Sequence, residues 1–69
     1  MNRRKLLEMT DKLYEETKKL PRDAILLHNE IMGPFTDMTK VYDLIFSIYE
    51  RLEKIQKMIE EVDEAINHE

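Results

Sequence analysis

Two histidines, one run of carboxylates and a few groups of cations are the residues of this chain whose chemistry could be put to use. His28 stands two residues before Glu30, and an imidazole beside a carboxylate can ligate a metal or carry a proton. His68 has Glu64 one turn before it, a spacing that puts both side chains on one helix face. Each pair supplies two ligands, however, where a structural zinc takes about four. The Glu-x-x-His spacing of di-metal helical bundles is absent. Glu60-Glu61-Val62-Asp63-Glu64 could grip a divalent cation if a second acidic segment faced it. The acidic pair of the first half, Glu15-Glu16, falls far from residues 60–64 in the arrangement derived below, so the run reads as a solvated helix face. Gly33 is the only glycine, which leaves no phosphate-cradling loop. Ser47 is the only serine and has no histidine at helical spacing to activate it. We therefore expect no enzymatic activity, no cofactor, no bound metal and no small-molecule substrate.

Arg3-Arg4-Lys5, and Lys18-Lys19 with Arg22, are the basic clusters. They could meet phosphates, and a small nucleic-acid-binding regulator using these residues of the first arm is the alternative reading. The net charge of −4 opposes it, because neutralising phosphates supplies most of the affinity in such complexes. Pairing with the acidic second half is the simpler role. No apolar run approaches the ~20 residues needed to cross a bilayer. Charged residues interrupt whatever follows the basic N-terminus, so no signal-peptide core is present and a cytoplasmic protein is expected.

The elements that must position these residues are helical. Over 69 residues there is one glycine, two prolines and no cysteine, and 38% of positions are charged. This is a single domain (1–69) with no disulfide to reinforce it. In the second half Met38, Val41, Ile45, Ile48, Leu52, Ile55, Ile59, Val62 and Ile66 alternate at spacings of three and four. Such a stripe keeps one seam of a helix against a neighbour. It predicts one long helix from about Asp37 to about His68, with Thr36 as its N-cap. In the first half Leu6, Leu13, Leu20 and Leu27 recur every seven residues, with Thr10, Thr17, Ala24 and Ile31 in the alternate positions. Pro21 interrupts that arm without shifting its phase. Two segments are expected, about Arg3–Lys19 and Pro21–Met32, with a kink or a one-turn break at the proline.

Gly33-Pro34 ends the first arm, the glycine being suited to a left-handed residue after a helix. Arms of matched length across a short turn fold back on each other. The expected fold is thus all-α: an antiparallel helical hairpin, its first arm kinked or broken at Pro21 and its second a single helix. Residues 1–32 carry seven Lys/Arg and six Asp/Glu, whereas residues 33–69 carry four and nine, so opposite ends of the chain would meet with opposite charge.

One hairpin buries one stripe per helix, and this chain has more apolar side chains than that. Ile25, Leu26, Met32, Phe35, Tyr42, Leu44, Phe46 and Tyr49 cluster toward the turn and lie largely outside the stripes. Leaving them in water would be costly. They are the candidate protein interface, and a homodimer forming a four-helix bundle is the expected use of it. An unidentified protein partner could occupy the same surface. The function expected is a non-enzymatic protein–protein interaction or regulatory module.

Overall fold

The computed structural model describes residues 2–68, and these are all-helical with no strand. Helix α1 spans Arg3–Thr17, α2 Lys19–Met32 and α3 Met38–Asn67. Asn2 opens α1 by accepting the Arg4 N–H at 2.9 Å.

The first arm divides at Lys18, upstream of the proline. Pro21 has no N–H to give the carbonyl of Thr17 four residues earlier, and its ring crowds that same carbonyl. The disruption therefore falls a turn before Pro21, which itself sits within the first turn of α2. Lys18 keeps helical angles (φ −63°, ψ −22°) and its N–H still reaches the Tyr14 carbonyl at 3.1 Å. The helical phase thus carries from α1 into α2.

The turn differs from expectation in two respects. Gly33 is extended (φ −65°, ψ 161°), and no residue among those described has positive φ. Pro34 is the cause, since a proline drives the residue before it out of helical angles and into an extended conformation. The N-cap of α3 is Asp37, not Thr36. Its carboxylate accepts the N–H groups of Thr39 at 3.0 Å and Lys40 at 3.4 Å, where its charge also meets the positive end of the helix dipole. Thr36 instead closes the turn by donating its hydroxyl to the Ile31 carbonyl at 3.2 Å. Glu30 reaches across to accept the Asp37 N–H at 3.4 Å.

Both α1 and α2 pack on α3. Leu26 and Glu30 lie beside Lys40 and Leu44, Asp23 meets Arg51, Glu16 meets Arg51 and Lys54, and Asp11 and Lys12 lie beside Met58. As the residue number rises along α3 it falls along the other two, within a body 54 × 15 × 10 Å. The inward line on α3 is Val41, Leu44, Ile48, Arg51, Ile55, Met58, Val62 and Ala65, of which Val41 and Ile55 are buried and the others half-buried. Half of the expected seam is therefore correct: Val41, Ile48, Ile55 and Val62 face inward. Their companions are not Met38, Leu52, Ile59 and Ile66, which stay about half exposed, but the line one residue further round. The first arm shows the same displacement. Leu6, Leu13, Leu20 and Leu27 face α3 alongside Met9, Glu16, Asp23 and Glu30, whereas Ala24 and Ile31 are exposed.

Two outcomes follow from the turn. A Cβ on Gly33 would meet only the Asn29 and Glu30 carbonyl oxygens, at 3.6 Å, which is ordinary contact. Gly33→Ala should therefore raise stability by about 0.4–1 kcal/mol through the unfolded chain. Asp37→Ala should lower it by about 0.5–2 kcal/mol through loss of the cap. Urea denaturation followed by circular dichroism measures both.

Candidate interaction face

The seam between the helices contains a charged layer where a bundle would ordinarily hold leucine. Arg51 donates through Nε to Asp23 Oδ2 and through Nη1 to Glu16 Oε1, each at 2.5 Å. Glu16 is the most enclosed polar residue, at 6% exposure. It also has Lys19 Nζ at 3.5 Å and Lys54 Nζ at 3.4 Å. Glu16 belongs to α1 and Asp23 to α2, so one guanidinium holds both segments to α3 across the break at Lys18. The planar fork of arginine suits this double task where the point charge of lysine would not. Burial by itself would raise the Glu16 pKa, but hydrogen bonds from Arg51 and Lys54, with the charges of Lys19 and Lys54, outweigh it and bring the pKa below its ordinary value. Arg51 is raised, chiefly by its hydrogen bond to Asp23 and against the opposing effect of burial. Sequence reasoning missed Asp23, Arg51 and Lys54, and took Glu16 and Lys19 only as members of an acidic pair and a basic cluster. Their seven-residue spacing from Glu16 to Asp23, in phase with the leucines, was the available signal.

Around this layer the two sides of the molecule differ. Lys19 and Lys54 approach Glu16 from one side, where shallow open grooves are lined by Lys12, Glu15, Ser47 and Glu50. On α3 the next line past the buried seam is Met38, Tyr42, Ile45, Tyr49, Leu52, Gln56, Ile59, Asp63 and Ile66, turned roughly 100° from it by the helical repeat. On α1 and α2 the corresponding line is Leu7, Thr10, Tyr14, Thr17, Pro21, Ala24, His28 and Ile31. A rotation of one sense on two helices of opposite direction brings both lines to the same side, away from Lys19 and Lys54. There they form a largely apolar face, interrupted by His28, Gln56 and Asp63. Tyr42 is 65% and Tyr49 66% exposed on it.

The eight candidate interface residues are dispersed by this geometry. Tyr42 and Tyr49 lie on the apolar face. Ile25, Met32 and Phe46, all exposed, project from the outer edges, and Phe35 stands at the turn, 90% exposed. Leu44 belongs to the inward line of α3, and Leu26 lies beside it at the polar edge, next to Glu30 and Lys40.

His28 is exposed. His68 does pair with Glu64, Nε2 to Oε1 at 3.6 Å, both in solvent. Among the described residues, no group of three His, Asp or Glu is placed to hold a metal, and no helix is long and apolar enough to cross a membrane. The ion pairs among them that join α3 to the first arm are those of Glu16 and Asp23 with Arg51 and Lys54, at mid-length and not at the chain ends. No protein-family model matches the chain, and no curated protein or solved structure is similar to it.

A carboxylate whose pKa is lowered by folding contributes stability above the ordinary carboxylate range and loses it as pH falls through the folded value. Stability should therefore hold near neutral pH and decline on acidification. Glu16→Gln should flatten that decline, measured as urea midpoints across the acid range. Arg51→Ala strands Glu16 and Asp23 together and should lower the midpoint more than Lys54→Ala does.

Proposed function

We propose that this chain is an antiparallel helical hairpin that pairs with a second copy into a four-helix bundle and serves as a non-enzymatic protein–protein interaction module. The observation that carries this reading is the largely apolar, exposed face beside the seam, densest from Met38 to Leu52 on α3. In a four-helix bundle each helix touches two neighbours, and so needs two adjoining apolar lines. Each arm here has them, one facing inside the chain and one facing water.

Surface area supports the same reading. A monomeric protein of 8.4 kDa is expected to expose about 4,600 Å². This chain exposes 5863 Å², an excess of roughly 1,250 Å², against the ~800 Å² that each partner buries in a standard interface. No large side chain among the described residues is fully enclosed, so a lone chain has little core to offset its conformational entropy. The cations that a nucleic-acid regulator would need are partly engaged. Lys19, Arg51 and Lys54 surround Glu16, and Lys18 pairs with Glu15 while lying over the Tyr14 ring.

Sedimentation equilibrium should return a mass twice the 8.4 kDa of the chain. Leu52→Glu, on the apolar face, should shift it to monomer, and Lys57→Glu on the outer surface should not. A wild-type chain that stays monomeric at millimolar concentration would refute the pairing. Retarded migration of RNA or DNA at low salt, lost steeply as salt rises, would instead favour the regulator.

A further inference from the structure

The two segments of the first arm are fastened to α3 in different ways. α2 is tied at both ends. At the turn Thr36 donates to the Ile31 carbonyl and Glu30 accepts the Asp37 N–H, and near its start Asp23 accepts from Arg51. α1 is tied at one end only. It reaches α3 through Leu6, Met9 and Leu13, all half-buried, and its ion pairs to α3 among the described residues are those of Glu16 in its last turn. Eight of its 15 residues are charged, against four of 14 in α2, so α1 gives up less apolar contact on leaving.

The joint between the segments is weak at a defined place. Pro21 has no N–H for the Thr17 carbonyl, and the Lys18 N–H to the Tyr14 carbonyl is the bond that carries the helix across. A hairpin held by its turn opens from its free ends. Such an opening runs along α1, meets Glu16, and can stop at Lys18, because the backbone there has already lost a hydrogen bond.

The ion layer suits an opening that stops at this point. Arg51 has a carboxylate on each segment, so when Glu16 departs the guanidinium keeps Asp23. Glu16 returns to water. Neither charge is left enclosed and unpaired, which is the costly outcome when an ion pair is broken inside a protein. A helix of 15 residues is marginal in water by itself, so α1 would also lose its helix on release.

We propose that α1 is a releasable strap: it leaves α3 as one unit, hinged at Lys18 and latched by Glu16 on Arg51 and Lys54, while the hairpin of α2 and α3 stays folded. The strap covers Ile55, Met58, Val62 and Ala65, the far half of the inward line of α3. On its release these residues join Leu52, Ile59 and Ile66, and that half of α3 presents two adjoining apolar lines to water. All of the contacts involved lie within one chain, and none depends on the pairing proposed above.

Native-state hydrogen exchange, followed residue by residue by NMR, tests the strap on the whole chain. Amides of residues 7–17 should exchange as one block, faster than those of residues 23–32 and 41–51, with a step at Lys18. Glu16→Gln weakens a charge-assisted bond and should speed that block roughly tenfold while leaving residues 23–32 unchanged. Pro21→Ala restores a donor to the Thr17 carbonyl and should erase the step, slowing the block toward the rate of α2. Three results would overturn the strap: one rate throughout, a gradual rise toward Arg3 with no step, or Glu16→Gln speeding both segments alike. Should Glu16→Gln fail to fold, the step in the native chain and its loss in Pro21→Ala still decide the matter, and a step that survives Pro21→Ala removes the hinge.

Discussion

Arg51 bridges Glu16 and Asp23, and every other placement in the molecule is consistent with that one fork. The first arm is divided at Lys18 because Pro21 withholds a hydrogen bond from the turn before it. Two short helices of 15 and 14 residues could then rotate about their axes or slide along α3 independently. A guanidinium that donates to a carboxylate on each side of the division removes both freedoms. Its two acceptors lie seven residues apart, two turns along one helix face, so only a nearly continuous path from α1 to α2 allows both bonds. The break is therefore local in the backbone and absent from the packing.

A charged layer is a poor choice for stability alone, since taking a guanidinium and two carboxylates out of water costs more than burying leucines would. What it supplies is discrimination. Seams built only of Leu, Ile and Val pack nearly as well after slipping by one heptad, because the same residue types meet again. Slipping α3 by seven residues would move Arg51 away from both acceptors and leave the buried Glu16 without its arginine. That penalty falls on every wrong register and on none of the correct contacts. The leucines drive association, and the ions choose the alignment.

The helices and the turn were legible from spacing, proline and glycine alone, whereas the rotation of each helix was not. Val41, Ile48, Ile55 and Val62 have apolar residues on both flanks: Met38, Ile45, Leu52, Ile59 and Ile66 on one, Leu44, Met58 and Ala65 on the other. Periodicity favours the first flank because it is uninterrupted, whereas Arg51 breaks the second. On the first arm Glu16 and Asp23 concealed the inward line in the same way. The polar residues that broke the pattern were the ones facing each other, and only a comparison of both arms at once reveals that charge opposes charge. The cap at Asp37 and the extended Gly33 depended on subtler competition: a carboxylate outbids a neighbouring hydroxyl for the end of α3, and Pro34 overrules the ordinary preference of a glycine after a helix.

The displaced seam also explains why the most regular apolar stripe in the chain is left half exposed. A solitary pair of helices would be expected to turn its best stripe inward and its interrupted one to solvent. Here α3 does the reverse, giving the interrupted line to α1 and α2 and holding the uninterrupted one outward, beside Tyr42 and Tyr49. Burial at about 25 cal/mol per Å² makes that costly for an isolated chain. The cost is recovered only if the outward line is also covered. The internal ion layer and the external apolar row are thus separate features: the first fixes how one chain folds on itself, and the second is left facing water.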